Sequence, residues 1–390
     1  MRIGVYAASM SVKPGYEHIV SGHVQVPLVT ASMLVEAGHE VVLISTEREP
    51  GMVLPAITPP GVEICWIPQA HLEVTDGGSK SISGVYRRGK SLIMAVFALR
   101  KLAREQRIDV LHLFGANGTA MLAGVLRFFL VECPVVVTLN TGRNPGPSWS
   151  MLKWIWLKID RLLVTTDYFH SELKAKGMQS SRISQGISRN LGAQEGSPVV
   201  RSRVLFWREA SPLNGGDIAV EVYRALARKY PDVQFDFAVR PHRLQPSGVE
   251  ALSQSESNVN LFTTPYPEGV SIEGLLSQSL CVLQPFRTFT IQPQFSILES
   301  MRAGVPVVAS DIESAGEIIE SGVDGILVPL GDIEAAIDAV ESMILNPHRA
   351  LAMGEAAIRA VDSKWNWSTY ISELVDVYQG ACTLPRRARP

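Results

Sequence analysis

Twice along the chain, short runs of β-branched and aromatic residues alternate with longer helical stretches, and this rhythm restricts the fold more than any other feature. In the first half the runs are RIGVYAA, EVVLIS, VEICWIP, VLHLF, PVVVTLN and RLLVTT, with VQVPLVTASMLVEAG and FHSELKAKG among the stretches between them. Strands separated by helices cannot close as hairpins. Each connection crosses a sheet face, so the strands run parallel and helices cover both faces. The rhythm stops at GISRNLGAQEGSPVVRS, residues 186–202, which is polar, Gly-rich and without apolar periodicity, as a linker is. It restarts with RVLFW, VQFDFAV, VNLFTT, LCVLQPF, PVVAS and GILVP. The expected fold is α/β, with two doubly wound Rossmann-like domains facing a cleft. Residues 1–190 form the first domain and residues 200–362 the second; residues 363–390 form a helix crossing back to the first, with a frayed basic tail.

At 390 residues the chain has room for two cores of roughly 150 to 200 residues each. Its formal net charge of -2 gives no bulk electrostatic reason to bind nucleic acid, and no nucleic-acid partner is expected. Cys65, Cys133, Cys281 and Cys382 show no CxxC or Cys/His spacing, so they read as buried or incidental thiols in a reducing compartment. The longest apolar run, LIMAVFAL at 92–99, is far below the ~18 residues of a membrane span. MRIGVYAASM reads as a strand, not a leader. A cytoplasmic location is expected, with at most peripheral contact at the inner face of a membrane.

In open parallel sheets, ligands bind outside the carboxyl ends of the strands. Glu299, in TIQPQFSILESMRAGVPVVAS, falls in a helix opened near Pro293 and closed by Gly304, next to such a strand end. A carboxylate on its cleft side would accept the paired hydroxyls of a ribose while backbone N–H groups at the helix start meet phosphate oxygens. A cap or salt bridge to a neighbouring helix is the other reading of Glu299. Redox and P-loop readings lack their phosphate loops, since neither GxGxxG nor GxxxxGK[ST] follows a strand. No GxSxG elbow supports a serine hydrolase. No Asp-x-Asp pair occurs, so no metal ligands are evident.

The stretch LESMRAGVPVVASDIESAGEIIESGVDGILVPLGDIEAAIDAV closely resembles the donor-site half of family 4 glycosyltransferases, which have the two-domain GT-B architecture. Gly22 and GHEV at 38–41 fall at the spacing of that family's glycine loop, first helix and second strand. The resemblance implies that Glu299 holds the ribose of a nucleotide sugar and that Arg208, ending RVLFW, binds its phosphates through a planar fork. Pairing of Arg208 with Glu209 is the other reading. Four positions depart from the family pattern: Asn214 replaces a lysine, Ile291 the first of two glutamates and Asn140 a catalytic histidine, while RPHR at 240–243 replaces a glycine-rich turn. Thr290, Gln292 and Gln294 would offer hydroxyl or amide groups in place of the lost glutamate. Arg240, His242 and Arg243 would supply charge, as would Arg143 from the other domain; for Arg240 a solvated surface role stays equally open, and Arg87 and Arg88 read as solvated.

By this resemblance the chain moves a sugar from a nucleotide sugar to an acceptor hydroxyl with retention of anomeric configuration, in glycan, polysaccharide or glycolipid biosynthesis, without metal or other cofactor. The acceptor, a sugar, lipid-linked or small molecule, would meet Gly22, His23 and Arg143, with Glu17 and His18 nearby. A catalytically impaired subunit acting as a scaffold is the alternative, motivated by the changed residues. Within MLKWIWLKIDRLL, residues 151–163, Leu152, Ile155, Ile159, Leu162 and Leu163 would form one helical core stripe. Trp154, Lys153, Lys158 and Arg161 lie off it, in a combination suited to an anionic membrane; a helix whose tryptophans pack against the next loop is the other reading.

Overall fold

The computed structural model describes residues 1–8, 10–17, 22–48, 50–68, 82–128, 132–140, 149–187, 201–241 and 244–384. The chain divides into two units. Unit 1 comprises Met1–Gln185 and Trp367–Pro390, and unit 2 comprises Gly186–Asn366.

Unit 1 is built on strands β1 (Arg2–Ala7), β2 (Glu40–Thr46), β3 (Glu63–Ile67), β4 (Val110–Gly115), β5 (Val135–Leu139), β6 (Arg161–Val164) and β7 (Ser181–Arg182). They pair in parallel in the order β3-β2-β1-β4-β5-β6-β7. A strand covered on both faces has no polar side, which is why β5 reads VVVTL and is buried at every position. The strand order reverses direction between β1 and β4, the switch point of a doubly wound sheet. The closing helix Trp367–Cys382 belongs to this unit and packs on helix Gly22–Glu36 and on β4. Its Tyr378 hydroxyl lies 2.6 Å from His112 Nδ1, and His112 Nε2 lies 2.7 Å from Thr138 Oγ1. Burial pushes the His112 imidazole down to about 3, so it stays neutral and holds both hydroxyls.

Unit 2 repeats the plan with β8 (Arg203–Trp207), β9 (Gln234–Val239), β10 (Val259–Thr263), β11 (Ser279–Gln284), β12 (Val307–Ser310) and β13 (Gly325–Val328). The parallel order is β10-β9-β8-β11-β12-β13, with its switch point between β8 and β11. Its core gathers Phe206, Tyr223, Phe235 and Phe237 with aliphatic residues of the flanking helices.

The stretch expected as one helix over 151–163 is instead a helix that ends at Trp156, a turn, and strand β6. Asp160 causes the break: its carboxylate pairs with Arg127 Nε at 2.8 Å and accepts from Val135 N at 2.9 Å, which starts β6 in register beside β5. Leu162 and Leu163 are buried, but as strand residues on opposite faces of the sheet rather than on a shared helical stripe.

Helix Pro347–Lys364 packs against helix Phe295–Arg302. A Cβ added at Gly354 would lie 2.1 Å from the Gly304 carbonyl oxygen, just past the end of the shorter helix. Backbone cannot rotate away, so the overpacking, typically ~1–3 kcal/mol, outweighs the ~1 kcal/mol helix preference of alanine. Gly354→Ala is therefore expected to lower unit 2 stability by on the order of 1 kcal/mol in urea unfolding; an unchanged midpoint would show that the two helices separate freely.

Candidate active site

The carboxyl ends of β8, β9 and β11 bring together most of the donor-side residues singled out in the sequence. Two loops shape the site, 208–215 after β8 and 285–294 after β11. Gly215 stands at φ +75 and a Cβ there would lie 2.0 Å from the Pro285 carbonyl oxygen, so only glycine lets the loops cross. Arg287 locks the crossing. Its guanidinium forks onto Asp217 at 2.6 and 2.8 Å and donates to the Pro212 carbonyl at 2.5 Å.

Helix Phe295–Arg302 is held over the switch point by polar ties to both neighbouring strands. Trp207 Nε1 donates to Ser300 Oγ at 2.9 Å, and Ser296 Oγ donates to Gln284 Oε1 at 2.8 Å. Glu299 is thereby fixed beside Arg208, which leaves β8, and Arg240, which leaves β9. All three are half-buried.

Their charges do not cancel. Burial, then the neighbouring Arg240, holds the Arg208 guanidinium below its ordinary value, while Glu209 and Glu299 pull the other way. Burial pushes the Glu299 carboxyl up to about 7 despite Arg208 and Arg240, with Glu273 adding to the rise. Two guanidiniums therefore share a partly desolvated site with a carboxyl that is only partly ionised at neutral pH, an arrangement suited to an anion.

Amides complete the lining. Gln294 is fully buried, and its Oε1 accepts from Arg208 Nη1 at 2.9 Å. Asn214 Nδ2 donates to the Glu209 carbonyl at 2.9 Å. Gln294 Nε2, Asn214 Oδ1 and Gln284 Nε2 are buried without a hydrogen-bond partner. Three such atoms around one switch point are what a polar ligand would satisfy.

Several expected residues are engaged in contacts of their own or lie outside this site. Gln292, expected to face a sugar, has its amide taken up at both ends: Nε2 donates to Glu313 and Oε1 accepts from Ser314 Oγ. Gln294 likewise spends its oxygen on Arg208, so its first role is to aim that arginine. Thr290 is half-buried, and Ile291 is buried. Asn140 belongs to unit 1, directly after β5. Its N–H donates to the Gly115 carbonyl at 3.0 Å, and its side-chain amide is buried with neither end partnered. Gly22 opens helix Gly22–Glu36. Arg143, His18, His242, Arg243 and the side chains of His23, Arg87 and Arg88 lie outside the described residues. Sequence reading missed Glu313 and Arg287, which act through contacts across loops and carry no local motif.

A family model described as glycosyl transferases group 1 matches residues 201–346, and one described as glycosyl transferase 4-like domain matches residues 21–185. No curated protein matches the chain by sequence. Among solved structures, sucrose-phosphate synthase from Thermosynechococcus elongatus is similar with a TM-score of 0.72 at 16% identity, covering 97% of this chain and 98% of that one. TarM gives 0.75 at 12% identity over 97% and 98%. HepE from Anabaena in complex with UDP-glucose gives 0.68 at 15% identity over 97% and 100%. At these identities the likeness is one of fold.

The raised Glu299 carboxyl makes a pH prediction. Between its ordinary value of 4.5 and about 7 the folded protein keeps a proton that the unfolded chain releases. The resulting stabilisation is complete below the lower value and is lost as pH rises through the upper one. Wild type should therefore lose stability relative to Glu299→Gln as pH is raised across that window in chemical denaturation. Parallel stability curves for the two proteins would contradict the burial assigned to this carboxyl.

Proposed function

The chain belongs to the group 1 glycosyl transferases, with a family 4-like N-terminal domain, and on that footing we propose that unit 2 holds a nucleotide-sugar donor at the β8/β11 switch point. The observation that carries this is the pair Arg208 and Arg240 at adjoining strand ends, with Glu299 beside them. The diphosphate would lie against the two guanidiniums and the ribose hydroxyls against Glu299. Asn214 Oδ1 and the Gln294 amide would line the donor's polar edge.

Chemistry follows from charge. As the bond from the anomeric carbon to the phosphate oxygen breaks, negative charge grows on the leaving diphosphate and the sugar becomes oxocarbenium-like. Arg208, already oriented by Gln294, stabilises that charge without reorganising. An acceptor hydroxyl attacks on the face the phosphate leaves, giving retention, and the leaving phosphate takes its proton. Positive side chains do the work a metal would otherwise do. The reaction is proposed to be metal-independent, with the Arg208 and Arg240 guanidiniums meeting the diphosphate charge. In unit 1, Asn140 is proposed as a catalytic residue and Gly22 as an acceptor contact.

A lipid-linked acceptor, in glycolipid or polysaccharide synthesis, is supported by one exposed patch of unit 1. Phe128, Trp154 and Leu157 are 51%, 55% and 49% exposed, and Lys158 Nζ sits 5.0 Å from the Trp154 ring centroid. Aromatic and basic side chains together suit an anionic membrane surface. No helix among the described residues is long and apolar enough to cross a membrane. The wild type should float with anionic vesicles, and Trp154→Ala combined with Lys153→Glu should not. Absence of flotation by the wild type, or its survival in the double variant, removes the lipid-linked acceptor.

Turnover tests the donor site. With a panel of nucleotide sugars the wild type should show transfer or slow donor hydrolysis that persists in EDTA. Arg208→Ala should lower kcat by roughly 10² to 10³, the scale of losing one preorganised charge-stabilising donor. Asn214→Lys should retain activity or tighten nucleoside diphosphate binding. No turnover by the wild type, with nucleotide binding indifferent to both substitutions, would mark the site as vestigial and the chain as a scaffold.

A further inference from the structure

Glu313 follows β12 in the turn at 311–314, and its backbone stands at φ +46. That left-handed region is disfavoured for a residue with a long side chain and open to glycine, asparagine or aspartate. A glutamate held there implies that its carboxylate is needed, since such strain persists only where the surroundings over-determine it. The contacts show what the carboxylate does. Oε1 accepts from Thr288 Oγ1 at 2.7 Å and from Phe289 N at 3.2 Å, and Oε2 accepts from the Gln292 amide. The adjacent Ser314 hydroxyl donates to the other end of the same amide.

The turn after β12 thus grips the loop after β11 at Thr288, Phe289 and Gln292. Two residues beyond Gln292, Gln294 presents the oxygen that holds Arg208. We propose that Glu313 is a positioning residue for the reaction: by fixing the 288–292 loop it sets the Gln294 amide, and through it the direction of the Arg208 guanidinium toward the donor diphosphate. This rests on the reading of unit 2 as the donor site. Glu313 touches no reacting atom, and its effect passes through Arg208.

Because glycine relieves the backbone at this position, Glu313→Gly removes the carboxylate without adding strain. Hydrogen exchange on the free full-length protein should then speed up over 286–294 while β8 keeps its protection. Titration with UDP, ADP and GDP should show the tightest of them weakened about tenfold, a coupling on the scale seen between residues in one hydrogen-bonded network. Glu313→Gln keeps one acceptor oxygen and should fall between the two. In the Arg208→Ala background the Glu313→Gly effect on binding should vanish, a result that a merely structural role would not give. Equal nucleotide binding by wild type and Glu313→Gly, additive losses in the double variant, or unchanged exchange over 286–294 would each overturn the inference while leaving the donor site standing. Failure of the wild type to bind any of the three nucleotides would overturn the donor-site reading and this inference with it.

Discussion

The local structure at the switch point of unit 2 depends on holding the Arg208 guanidinium, partly withdrawn from water, beside Arg240 and Glu299. Two guanidiniums placed at neighbouring strand ends and partly withdrawn from water destabilise the free protein unless something offsets them. Glu299 interacts with both guanidiniums, yet its own burial favours the protonated form. The surrounding structure can be understood as the means of holding this charge in place. Gln294 supplies a neutral acceptor to Arg208, and the helix carrying Glu299 is tied to β8 and β11 by serine hydroxyls. A dianionic ligand would relieve the repulsion, so binding energy and site architecture have the same source.

Rigidity in the loops has a simple origin as well. The loop after β8 passes beneath the loop after β11 with no room for a Cβ at Gly215, and the Arg287–Asp217 fork closes the crossing. The β11 loop is gripped on its far side by the turn after β12. A loop fixed from both sides does not need to order itself when a donor arrives, which keeps the entropic cost of binding low.

The sheets were legible in the sequence because strands buried on both faces must be written as continuous apolar runs, and each of the quoted runs contains a strand. Strand β7 left no trace: Ser181 and Arg182 are exposed and polar, and they pair only as an edge extension of β6. The segment over 151–163 misled because a leucine-rich stripe fits a helix or a helix followed by a strand, and Asp160 decides between them through partners distant in sequence. In the site, Glu299 and Arg208 were marked by their motif, whereas Gln292 and Gln294, two residues apart, looked equivalent. Only the loop path separates them, sending one amide to the β12 turn and the other to Arg208. Glu313 and Arg287 were invisible for the same reason, since their partners lie 21 or more residues away.

A crystal structure with the tightest-binding nucleoside diphosphate would show where the diphosphate lies in unit 2. Diphosphate oxygens are expected within about 3 Å of the Arg208 guanidinium, a hydrogen-bonding distance, with the ribose hydroxyls on the Glu299 carboxylate. A diphosphate seated away from both side chains, with neither the Arg208 guanidinium nor the Glu299 carboxylate in contact with the ligand, would contradict this placement.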